Sequence, residues 1–88
     1  MRESFIEAHL TRLVKQAGGL TYKFTSAVAG VPDRIVIHRG KVHLVEVKRP
    51  EGALSAIQEF TIDQISKRGV EVVVLWSLND VEHFVEGL

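Results

Sequence analysis

No cysteine occurs among the 88 residues. That absence excludes a disulfide framework, a Cys-ligated zinc site and a thiol nucleophile. No apolar run approaches the roughly 18 residues needed to cross a bilayer. The opening Met1-Arg2-Glu3-Ser4 leads into no signal-peptide-like apolar segment. The expectation is therefore an intracellular protein with no membrane role. Repeats, low-complexity tracts and linkers are also missing, so residues 1–88 read as one small domain. A net charge is lacking too, with 11 Lys+Arg against 11 Asp+Glu. The balance conceals an asymmetry. Residues 1–50 hold nine basic and four acidic side chains, and residues 51–88 hold two basic and seven acidic ones. A basic half can meet a polyanion even in a neutral chain. Hydrophobic residues make up 45% of the sequence, enough to build a core rather than a disordered chain. A domain of this size buries little of its surface, which favours oligomerisation as a source of stability.

The pattern of residues alternates between helix and strand signals. Ile6, Leu10, Leu13, Val14 and Ala17 fall at helical spacing, with Ser4 as a candidate cap and Gly18-Gly19 as a stop. Leu20 to Thr25 reads as a strand, followed by a loop to Pro32. Asp33–His38 and Lys41–Lys48 are strand-like runs around Arg39-Gly40, a hairpin signal. Pro50 and Gly52 break the chain before a helix from Ser55 to about Arg68. Glu71–Trp76 reads as a strand buried on both faces, with Trp76 in the core. Asn79 is positioned to cap a last helix, Asp80 to about Glu86. The order αβββαβα predicts an α/β fold: a mixed β-sheet flanked by helices, its last strand parallel to the one before.

Register sharpens this reading. With Arg39 and Gly40 as the turn, Ile37 faces Val42, Ile35 faces Leu44, and Asp33 faces Glu46. Asp33, Glu46 and Lys48 then share one sheet face. Two acids opposed at this distance destabilise a sheet unless a proton, a base or a metal ion relieves them. Lys48 could complete an ion network at the sheet edge. Equally, the carboxylates could hold a divalent cation through oxygen ligands, as Mg²⁺ or Mn²⁺ requires. His9, His38, His43 and His83 show no ligand-like spacing and read as surface or core-edge residues. Ser4-x-x-Glu7 and Ser55-x-x-Gln58 both have capping-box spacing.

Pro32-Asp33 followed by Glu46-Val47-Lys48 resembles the PD-(D/E)XK nuclease signature. Gly30-Val31-Pro32-Asp33-Arg34, His43-Leu44-Val45-Glu46-Val47-Lys48 and Leu54-Ser55-x-x-Gln58 together resemble the virus-type replication-repair nuclease domain, VRR-NUC, in a minimal stand-alone form. The resemblance covers nearly the whole chain and implies a restriction-endonuclease-like αβββαβα core. It also implies a metal-dependent DNA endonuclease, a homodimer similar to Holliday-junction resolvases and selective for branched DNA in repair. The setting implied is a bacterium or a phage-infected host cell.

Asp33, Glu46 and the Val47 backbone carbonyl correspond to ligands for Mg²⁺ or Mn²⁺ in that family. Lys48 corresponds to the group that orients water and stabilises phosphate charge. Glu7 corresponds to a contact behind those ligands or to a second metal, and Gln58 to a site contact. Lys23, Arg34, Arg39, Lys41 and Arg49 are candidate DNA contacts. Two other functions fit the same fold: a non-catalytic DNA-binding or assembly module, and a sequence-specific restriction-type nuclease. Retention of Asp33, Glu46 and Lys48 argues against the first. The small size of the chain, with little surface for reading base edges, argues against the second.

Overall fold

The computed structural model describes all residues from Met1 to Leu88. Its elements are α1 (Glu3–Gln16), β1 (Leu20–Lys23), β2 (Arg34–His38), β3 (Lys41–Val47), α2 (Ala56–Ser66), β4 (Val72–Leu75) and α3 (Leu78–Glu86). The expected αβββαβα order is met. The strands form one sheet in the order β1-β2-β3-β4. The first three run antiparallel, and β4 joins β3 in parallel after the α2 crossover.

The β2–β3 turn has the chemistry that sets its register. Arg39 and Gly40 take φ values of 48° and 78°. Positive φ at both central residues gives a two-residue turn whose twist matches that of the flanking strands. The resulting pairs include Ile37 with Val42 and Ile35 with Leu44, as the sequence predicts.

One face of the sheet is sealed. Ile6, Leu10 and Val14 recur every four residues along α1 and are fully buried. They cluster with Val36, Val45 and Val47 of the sheet, Leu75 of β4 and Val81 of α3. His38 closes this layer, its imidazole Nε2 lying 3.1 Å from the Ala17 carbonyl at the end of α1. His43 stands on the same face, edge-on to Phe84 of α3.

The opposite face is open. Leu20, Tyr22 and Val42 remain more than half exposed. The α2 helix lies over part of this face yet buries none of its residues and leaves Ile57 and Phe60 exposed. Consequently β4, expected to be buried on both faces, has only Leu75 buried. Val73 packs against the core layer and α2 lies against the strand, but this partial cover leaves Val72, Val73 and Val74 half-buried.

Two caps also differ from expectation. The α1 helix starts after Arg2, which makes no side-chain cap, so Ser4 lies within the first turn and no Ser4–Glu7 capping box forms. The α3 helix is capped by Ser77 rather than Asn79. The Ser77 hydroxyl accepts from the Asp80 N–H at 3.0 Å, while the Asp80 carboxylate accepts from the Trp76 N–H at 2.9 Å. This reciprocal arrangement starts the helix two residues earlier than the Asn79 reading allows.

Gly30 links the fold to the carboxylates that follow it. It has φ +88°, and a Cβ there would lie 2.6 Å from the Ile57 carbonyl oxygen and 2.7 Å from Thr61 Oγ1. The loop before Asp33 therefore packs directly on α2. Gly30→Ala should destabilise the protein by about 3 kcal/mol, combining left-handed backbone strain with a steric clash. Urea unfolding measures this, and a loss below about 1 kcal/mol would show that the loop can withdraw from α2.

Candidate active site

The paired register ends at Arg34–Val45; Asp33 and Glu46 are the next residues on either strand, and the Asp33 charge and backbone both act on Glu46. Asp33 is half-exposed and anchored by its carbonyl, which accepts from the Phe24 N–H at 2.8 Å. Glu46 is buried, with 8% of its surface accessible. Burial raises its pKa from 4.5 to about 7, the nearby Asp33 charge adds to the rise, and Lys48 opposes it. Glu3 contributes a further upward push, whereas the Asp33 backbone lowers the value. Two acids, one buried, therefore share the open end of the hairpin with an ammonium two residues away.

Gln58 joins this group from α2. Ser55 and Gln58 form the full capping box: the Ser55 N–H donates to Gln58 Oε1 at 2.9 Å, and the Gln58 N–H donates to Ser55 Oγ at 3.2 Å. The free end of the same amide, Nε2, donates to Glu46 Oε2 at 3.4 Å. Capping and site contact are thus compatible roles of one side chain. The cap holds the amide oxygen, which turns the NH₂ group toward the buried carboxylate.

Glu7 comes from α1 and is held by two cations. Lys23 Nζ and Arg34 Nη2 each lie 3.3 Å from Glu7 Oε1. Lys23 Nζ is also 3.9 Å from Asp33 Oδ2, so it bridges the two acids. Arg34 corrects an expectation. It is buried, and its guanidinium also donates to Thr21 Oγ1, so it faces the interior rather than a phosphate. The alternation along β2 carried that signal, because Arg34 shares the buried face with Val36 and His38.

The remaining bases are spread out. Arg39 sits in the hairpin turn and Lys41 immediately after it, at the opposite end of the strands. Arg39 lies six residue steps along the chain from Asp33, about 20 Å at the usual rise. Arg49 follows Lys48 and is exposed on the carboxylate side. Val47 has its side chain in the core, leaving only its backbone to serve the site.

No three His, Asp or Glu side chains converge into a closed metal cage. The donor set still fits a hard cation. A buried carboxyl whose surroundings disfavour its charge, close to a second carboxylate, would be relieved by a divalent ion, with carbonyl, phosphate or water oxygens as further ligands.

The VRR-NUC domain model matches residues 2–78. The chain belongs to the VRR-NUC family. It is 39% identical over 77 residues to "Putative nuclease p44" of Acyrthosiphon pisum secondary endosymbiont phage 1, covering 85% of this chain and 83% of the relative. A solved structure described as a VRR_NUC domain superposes with a TM-score of 0.86 at 28% identity, covering 96% of this chain and 94% of the other. The αβββαβα mixed sheet is therefore that of a VRR-NUC nuclease domain.

Glu46 makes the metal-free VRR-NUC domain sensitive to pH. Because its pKa is raised on folding, the native state holds the proton more tightly than the unfolded chain does. The stability that Glu46 contributes is fullest below pH 4.5 and is lost as pH rises through about 7. Glu46→Gln should remove roughly 2 kcal/mol of this decline. Urea unfolding at pH 5 and pH 8, with EDTA present, measures the difference. Equal pH slopes in the two proteins would show that the burial of Glu46 does not control it.

Proposed function

We propose that this VRR-NUC domain is a metal-dependent DNA endonuclease that acts as a homodimer and prefers branched DNA, such as four-way junctions, in repair. The observation that supports this reading is the opposition of buried Glu46 and Asp33 with Lys48 on the same face. Asp33, Glu46 and the Val47 carbonyl would hold Mg²⁺ or Mn²⁺, with Glu7 behind them. Such an ion neutralises the phosphate and lowers the pKa of water bound to it.

The chain's own groups do the rest. Lys48 places a fixed positive charge where the phosphorane gains negative charge, and it orients the attacking water by hydrogen bonding. The attacking water gives up a proton to solvent as its oxygen bonds to phosphorus, the P–O bond to the leaving sugar oxygen breaks with its electron pair on oxygen, and that oxygen takes a proton from solvent. Gln58 fixes the rotamer of Glu46 through its amide NH₂ group. Lys23 balances Glu7 and Asp33, so the acids are kept together before substrate arrives.

The homodimer reading is supported by the open sheet face. Leu20, Tyr22, Val42, Ile57 and Phe60 each expose about half or more of their surface. A second copy would cover this apolar surface through a twofold axis, placing two sites on one substrate. No helix is long and apolar enough to cross a membrane.

The deciding experiment incubates the protein with a labelled four-way junction and its linear duplex in Mg²⁺, Mn²⁺ or EDTA. Cutting of the junction in metal alone is expected. Glu46→Ala or Lys48→Ala should lower the rate at least about a hundredfold with the fold intact by circular dichroism. Near-normal cutting by either variant would remove the mechanism. Equal cutting of both DNAs would leave a nuclease without branch selectivity, and binding without nicking would favour a non-catalytic module.

A second test reads the oligomer. Sedimentation should give about twice the 9.8 kDa chain mass, and Val42→Glu should shift it to the monomer by placing a charge on the apolar face. A wild-type monomer at micromolar concentration would overturn the dimer.

A further inference from the structure

A cavity of about 540 Å³ opens beside Lys48, between the start of α1 and the segment after β3. Its volume lies within the roughly 300–1,000 Å³ typical of small-ligand sites. Arg2, Glu3 and Phe5 line one wall, and Lys48, Arg49 and Glu51 line the other. Phe5 is 61% exposed, on the face of α1 turned away from the core formed by Ile6, Leu10 and Val14. Packing in the monomer gives no reason for a large aromatic there.

We propose that this cavity is a subsite for one unpaired nucleotide next to the cleaved phosphate. The proposal rests on the nuclease reading above and deepens it. Phe5 supplies a flat apolar surface for a base, and base–aromatic stacking does not require a particular sequence. Arg2 and Arg49 supply positive charge for the adjoining phosphate. No side chain caps the start of α1, where Arg2 and Glu3 line the cavity. The Arg49–Glu51 contact is 4.0 Å between exposed groups, weak enough for a phosphate to replace it.

Glu3 and Glu51 offer acceptors for the amino group of a base. They also make the cavity a poor fit for a run of duplex phosphates. A mixed lining of this kind suits one splayed nucleotide better than a continuous backbone.

Lys48 joins the subsite to the carboxylates. It lines the cavity, and its charge acts on Glu46. A nucleotide stacked on Phe5 therefore places its neighbouring phosphate toward Asp33 and Glu46. A branch point presents such an unstacked nucleotide at low cost, whereas a continuous duplex must first break a stack. The subsite thus gives a physical source for branch selectivity that needs no base-specific contact.

The test uses two DNAs of equal length, one fully paired and one with a single unpaired 2-aminopurine at a branch. Binding is measured in EDTA by anisotropy and by 2-aminopurine emission, and cutting is measured separately in Mn²⁺. Wild type should bind the branched DNA at least about tenfold more tightly and change the emission on binding. Phe5→Ala should bring the affinity ratio close to one and abolish the emission change, while Phe5→Tyr restores both. Arg2→Ala with Arg49→Ala should lower branched-DNA affinity and weaken its salt dependence.

An unchanged ratio and emission in Phe5→Ala, with wild type cutting DNA normally, would overturn the subsite alone. Failure of wild type to cut any DNA in Mg²⁺ or Mn²⁺ would instead overturn the nuclease reading beneath it.

Discussion

A buried carboxyl opposite a second acid is the constraint on which the rest of this molecule turns. Glu46 sits at the end of β3, largely shielded from water, with Asp33 across the hairpin. A sheet gains nothing from such a pair, and burial, with the Asp33 charge adding to it, pushes the Glu46 pKa toward neutrality. The surrounding architecture manages this cost. Gln58 reaches from a capped helix to hydrogen-bond Glu46, Lys48 offsets its charge, and Lys23 stands between Glu7 and Asp33. A divalent ion held between the two acids, as proposed above, would offset that cost.

The two faces of the sheet divide stability from function. Beneath β2 and β3, α1 and α3 seal an aliphatic layer, and Arg34 and His38 are drawn into its margin. That layer holds the strands rigid, so Asp33 and Glu46 are set by backbone rather than by flexible loops. The other face is left to α2, none of whose own residues is buried; it packs against the Gly30 loop and brings Gln58 to Glu46. Its exposed apolar residues, Ile57 and Phe60, remain uncovered within the chain.

Much of the fold was legible because the local signals agreed with one another. The Arg39-Gly40 turn, the alternation of the flanking strands and the αβββαβα order all held. The family motifs were equally readable, since Asp33, Glu46 and Lys48 lie within sixteen consecutive residues whose geometry the hairpin dictates. Signals that compete locally were less readable. Ser4-x-x-Glu7 has the spacing of a cap, but α1 begins at Glu3, and Glu7 is bound to Lys23 and Arg34. Charge suggested that Arg34 meets solvent, yet strand alternation turned it inward to Glu7. The valines of β4 suggested burial on both faces, but α2 covers its side of the sheet only loosely and leaves them half-buried.

What the sequence by itself determined is the set of short-range relations: turn type, register, the pairing of two acids and a lysine on one face, and membership of a nuclease family. Those follow from backbone geometry over a few residues, where side-chain direction is fixed by period. Only the tertiary structure decided what lies across from what over longer separations. It brought Glu7 to Arg34, Gln58 to Glu46, and Phe5 to the cavity beside Lys48. Each of these depends on how helices dock on the sheet, which is governed by the shape of the whole core and by what that core leaves uncovered.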